Sequence, residues 1–121
     1  MNTNFTNNSL FFKIQFGQLY YYFKNNTQVA QYFEGPSIPL NTWTHVAVTH
    51  DFNSGNILLF KNGVLTASTN IAMKVSNISR STARIGDDGT GYPFEFKGDM
   101  DDVYIYNRAL TQSEINSLYT Q

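Results

Sequence analysis

Two apolar runs, Ile57 to Lys61 and Val64 to Ser68, are separated by the dipeptide Asn62-Gly63. A two-residue connection of this kind closes as a type I′ turn, which needs φ > 0 at both central residues. Asn tolerates that region, and Gly has no Cβ to clash in it. The stretch reads as a β-hairpin, so this chain must build an antiparallel sheet. A lone hairpin is marginal in water, and further strands have to cover one of its faces.

Those strands are readable on both sides. Leu10 to Phe16 alternates, with Phe12, Ile14 and Phe16 on one face and Lys13 and Gln15 on the other. Gly17-Gln18 is a plausible turn into Leu19 to Lys24, which is aromatic on both faces: Leu19, Tyr21 and Phe23 against Tyr20 and Tyr22. Such a strand suits a buried central position or an exposed edge. Asn25-Asn26 offers another tight turn. Gln28 to Phe33 follows as a third strand, closed by Glu34-Gly35-Pro36 and a polar loop to Asn41. Trp43 to His50 sets Trp43, His45, Ala47 and Thr49 on one face and Val46 and Val48 on the other, with Trp43 expected in the core. Shorter strands are expected at Ile71 to Val75 and Ala83 to Ile85, and a last one at Asp99 to Tyr106. One helical signal follows: Thr111 with Glu114 forms a capping box, and Ile115, Leu118 and Tyr119 recur at helical spacing, placing a helix at Gln112 to Tyr119. Many short strands with turns between them mean a sandwich or a barrel.

At 121 residues the chain is expected to be one domain, residues 1–121, with the Asn- and Thr-rich stretch 1–8 irregular. Aromatics make up 16% and charged residues only 14%, which fits a packed β protein and not a disordered chain. A net charge of -1 without a basic run argues against nucleic-acid binding and against a polybasic membrane patch. No stretch is apolar enough to span a bilayer as a helix, so no membrane insertion is expected. The absence of Cys removes disulfides, zinc thiolates and a cysteine nucleophile.

Several blocks carry a resemblance. They are Trp43-Thr44-His45-Val46-Ala47-Val48-Thr49 with Asp51, then Leu59-Phe60-Lys61-Asn62-Gly63, Ile85-Gly86, and Phe96 through Leu110, ending in Glu114-Ile115. In order and spacing they are similar to the laminin-G-like family of concanavalin A-like jelly rolls. The resemblance implies an all-β, antiparallel jelly-roll β-sandwich, here with one short C-terminal helix. It also implies calcium, which many such domains bind, and an extracellular or cell-surface setting. Family members usually carry additional N-terminal strands, which are missing or shortened here. The chain is then a truncated domain, a compact variant, or a protomer that covers an open edge by pairing with another chain.

Two sets of residues are candidates for a site. Alternation from Asp99 puts Asp99 and Asp101 on the face of Val103 and Ile105, the expected core face. A carboxylate there needs a partner, because unpaired burial of charge costs several kcal/mol. That partner is either a calcium ion, held by Asp101, Asp99, Asp87 and Asp88 with loop carbonyls from residues 89–91, or a hydrogen bond to backbone amides or to His45. The second set is aromatic: Tyr20, Tyr22, Tyr32 and Tyr92 fit the stacking of rings on sugars, although a half-buried strand residue is the plain alternative for each. No catalytic constellation is visible. The spacing of Glu95, Asp99 and Asp101 does not match the Glu-x-Asp-x-x-Glu strand of related glucanases, and no Gly-x-Ser-x-Gly elbow exists. The expectation is a non-catalytic binding module for carbohydrate or a cell-surface partner, within a larger exported protein. A structural or adhesion sandwich that oligomerises through an open sheet edge is the alternative, and a glycosidase-like enzyme the third.

Overall fold

The computed structural model of the chain describes residues 10–24, 29–72, 83–87 and 95–121. Three strands come first: β1 (Leu10–Gln15), β2 (Gln18–Lys24) and β3 (Ala30–Ser37), paired antiparallel in the order β1-β2-β3. Gln15 pairs with Gln18, which moves the expected turn one residue earlier, to Phe16 and Gly17 at φ 52 and 75. Phe16 therefore leaves the strand. The third strand also departs from expectation, because it continues through Glu34-Gly35-Pro36. A bulge accounts for this: Tyr20 pairs with Glu34 but Gln18 with Ser37, so β3 carries an extra residue there. Being an edge strand, β3 can also accommodate a proline without an N–H.

A second sheet contains β4 (Val46–His50), β5 (Asn56–Lys61) and β6 (Val64–Asn70), in that order. Asn62 and Gly63 have φ 51 and 77, as the turn requires. The Asn62 side chain accepts from the His45 N–H at 3.0 Å, and the Asn62 N–H donates to the His45 carbonyl at 2.8 Å. These bonds end the ladder at residue 45, so β4 starts at Val46 and not at Trp43. Trp43, expected in the core, lies in the preceding loop and is 70% exposed.

The two sheets face each other across one core. Leu19, Tyr21 and Phe23 from β2 meet Ile57 and Leu59 from β5, with Phe33, Ile38, Val46, Val48, Ala67 and Ile71 around them. Gly35 permits the close approach: a Cβ there would lie 2.5 Å from Leu59 Cδ1. Burying each large side chain in such a core contributes roughly 1.5–3 kcal/mol. The opposite face of the β4-β5-β6 sheet carries a second cluster, where Phe60 packs with Leu110 and Ile115, flanked by Ala47, Leu58 and Leu118.

Ile115 belongs to α1 (Gln112–Tyr119), whose bounds match the expectation. Its capping box forms in full: Thr111 Oγ1 accepts from the Glu114 N–H, and the Glu114 carboxylate accepts from the Thr111 N–H at 2.8 Å. Glu114 also takes both ends of the Arg108 guanidinium, at 2.6 and 2.9 Å.

Two expected strands are not found among the described residues, and a third falls mostly outside them. Ile71 and Ala72 lie outside any strand, and 73–75 fall outside the described residues, as do 1–8. Residues 83–85 are irregular, and so is the whole of Asp99 to Tyr106, whose expected core-facing residues Val103 and Ile105 are exposed. A strand needs a neighbour to hydrogen-bond with, and among the described residues none pairs with this segment. The fold class stands as expected: an all-β chain of two antiparallel sheets in a jelly-roll sandwich, with one short C-terminal helix.

Candidate functional site

The outer face of the β1-β2-β3 sheet gathers three of the four candidate tyrosines. Because paired residues point to the same face, the register puts Phe11, Tyr22 and Tyr32 in one row across the three strands. Their rings are 5.6 Å apart between Phe11 and Tyr22, and 4.7 Å between Tyr22 and Tyr32, tilted in both cases. The next row holds Lys13, Tyr20 and Glu34. The result is an aromatic strip bordered by one cationic and one anionic side chain.

The three tyrosines differ in access. Tyr32 is 48% exposed and Tyr20 is half-buried. Tyr22 is buried, at 3%, and burial followed by the neighbouring Tyr32 raises its hydroxyl pKa above the ordinary phenol value. It braces Tyr32 and Phe11 instead of offering a face of its own. Tyr92 lies outside the described residues. Sequence patterning found Tyr20, Tyr22 and Tyr32 but missed Phe11, Lys13 and Glu34; a correct turn at Phe16-Gly17 would have supplied the register of Phe11 and Lys13, whereas Glu34 depends on the pairing of β2 with β3.

Of the carboxylates expected to hold a metal, Asp87, Asp99 and Asp101 lie among the described residues, and those three form no group placed to hold an ion. Asp87 pairs with Arg84 at 3.3 Å, on an exposed stretch. Asp99 and Asp101 are exposed, not core-facing, because their segment is not a strand. Asp101 accepts from the backbone N–H of Asp102 at 2.9 Å, the structural alternative weighed for it. Its other suggested partner, His45, packs against Tyr119 with ring centroids 5.9 Å apart, and its Nδ1 has no partner. Asp88 lies outside the described residues. Among the described residues no group of three His, Asp or Glu side chains is placed to hold an ion. Other carboxylates have structural jobs: Asp51 caps the Asn53 and Ser54 amides, and Glu114 belongs to the helix cap.

A half-buried titratable group lies on the core side. His50 Nδ1 is 3.0 Å from the Tyr21 hydroxyl, and its ring is packed by Phe23 and Phe52 at 5.0 and 4.6 Å between centroids. Its Nε2 is buried without a partner. Burial lowers the imidazole pKa to about 4, against a smaller upward pull from Asp51. The ring is neutral at pH 7 and works as a packing element. His45, five residues away, is turned toward α1, so the two imidazoles cannot share one ion.

The family model described as the concanavalin A-like lectin/glucanases superfamily matches residues 2–116. A crystal structure of an S-layer domain-containing protein from Clostridium thermocellum is similar in fold, with a TM-score of 0.54 at 22% identity. The likeness covers 94% of this chain and 58% of that one, so the chain spans little more than half of the solved protein. Among curated proteins none matches.

Proposed function

The chain belongs to the concanavalin A-like lectin/glucanase superfamily, and from that premise we propose that it is a single-domain, non-catalytic recognition module. It takes carbohydrate, or a cell-surface partner that displays it, on the outer face of the β1-β2-β3 sheet. The observation that carries this reading is the aromatic strip of Phe11, Tyr22 and Tyr32. Aromatic faces pack against the apolar side of a pyranose ring, and charged groups at the border, here Lys13 and Glu34, bond its hydroxyls. In this proposal the module works outside the cell or at its surface, as one piece of a larger exported protein. An S-layer domain-containing protein of the same fold fits that setting.

A glycan array tests the proposal. The protein is applied once with calcium and once with a chelator. Retention of a defined set of glycans is expected, lost in Tyr32→Ala while the far-UV circular dichroism is unchanged. Retention that requires calcium would bring the Asp99–Asp101 segment into the site. No retention in either buffer would overturn the carbohydrate reading.

A further inference from the structure

Among the described residues, one side of the sandwich is a strand short. Tyr21 and Phe23 of β2 lie against His50 of β4, and Gly35 of β3 lies against Leu59 of β5. That places β1, the strand beyond β2, opposite a position beside β4 that none of the described strands fills. Exposure shows the same thing. Leu10, Phe12 and Ile14 pair with Phe23, Tyr21 and Leu19, so all six point to the core face. Their partners are buried, but Leu10, Phe12 and Ile14 themselves are 40%, 38% and 41% exposed. Within its sheet β4 pairs with β5 alone, leaving its other edge open among the described residues. An apolar floor and an open backbone edge define a seat for one more strand.

The chain carries a segment of the matching kind. Residues 99–106 alternate, and among the described residues they make no backbone–backbone hydrogen bond. Val103 is 55% exposed and Ile105 is 91% exposed. Placed beside β4, this segment would gain a ladder and lower Val103 and Ile105 onto Leu10, Phe12 and Ile14. In its own chain it is held elsewhere. Leu110 is buried against Phe60 on the far face of the β4-β5-β6 sheet, and Arg108 is clamped by Glu114.

We propose that Asp99–Tyr106 of a second copy fills the seat beside β4 and over β1, reciprocally, giving a two-fold strand-exchanged dimer. Every copy offers both a seat and a filler, so one two-fold pair fills both seats within a closed dimer. The contact uses the core side of β1 and not its aromatic outer face. It therefore stands or falls separately from carbohydrate recognition.

Sedimentation over a range of protein concentrations and a crosslink test this. Wild-type protein is expected to sediment as a dimer. Ile105→Asp, at a side chain already in water, is expected to sediment as a monomer with an unchanged circular dichroism spectrum. The chain has no Cys, so Phe12→Cys with Ile105→Cys places two unique thiols for a bismaleimide spanning about 10 Å, the spacing of packed sheets. A crosslinked dimer is the expected product. Monomer mass with both thiols joined within one chain would show that the segment closes its own seat, and would overturn the exchange. So would a wild-type monomer, or a dimer that Ile105→Asp leaves intact.

Discussion

The residue that couples this fold most strongly to pH is His50. Its ring fills a core position between Tyr21, Phe23 and Phe52, and burial holds its pKa at about 4 against an ordinary 6.5. The folded state therefore binds the proton less well than the unfolded chain. Its contribution is fully present above about pH 6.5 and is lost as pH falls toward 4. With partial solvent access, the loss between pH 7 and pH 4.5 comes to about 1–2 kcal/mol. Urea midpoints across that range should fall in the wild type and fall less in His50→Gln, where nothing titrates. His45, lowered in the same direction by burial, accounts for a remaining slope. Phe16 is a second residue out of balance. It sits at φ 52 with its side chain 92% exposed, a backbone region that costs a bulky residue roughly 1 kcal/mol and Asn much less. Phe16→Asn should raise the urea midpoint, reporting a gain of about 0.5–1 kcal/mol.

Among the elements, α1 and the Asn62-Gly63 hairpin were fully legible in the sequence, because both are fixed by neighbours a few residues away. Thr111 and Glu114 close a cap on each other, and Asn62 and Gly63 supply the two positive φ angles. Thr111→Ala removes an N-cap acceptor and is expected to cost about 1 kcal/mol, read as a lower thermal midpoint. The misread elements depend on distant partners. Trp43 alternates correctly with the strand after it, but the His45–Asn62 bonds stop the ladder before reaching it. Gly35-Pro36 looks like a loop until the bulge opposite Gln18 and Tyr20 is known. Asp99 to Tyr106 carries a strand pattern without a neighbouring strand among the described residues, and pattern alone cannot supply one. The candidate site divides in the same way. Tyr20, Tyr22 and Tyr32 follow from alternation, whereas Phe11, Lys13 and Glu34 join them only through cross-strand register.

At the scale of the whole molecule, the β4-β5-β6 sheet is shared by two apolar clusters, one on each face. Phe60→Ala empties the cluster under α1 and is expected to cost about 3–5 kcal/mol, enough to release the helix while Ile57 and Leu59 still hold the inter-sheet core. The outer face of the other sheet takes no part in either cluster, and it carries the aromatic strip proposed for recognition. Affinity electrophoresis through gels containing soluble neutral polysaccharides, namely a β-glucan, a mannan and a xylan, tests that role most directly. The wild type should be retarded by at least one of them, and Tyr32→Ala should run at its free mobility in the same gel. Free mobility of the wild type in all three, or equal retardation of Tyr32→Ala, would contradict recognition by this face.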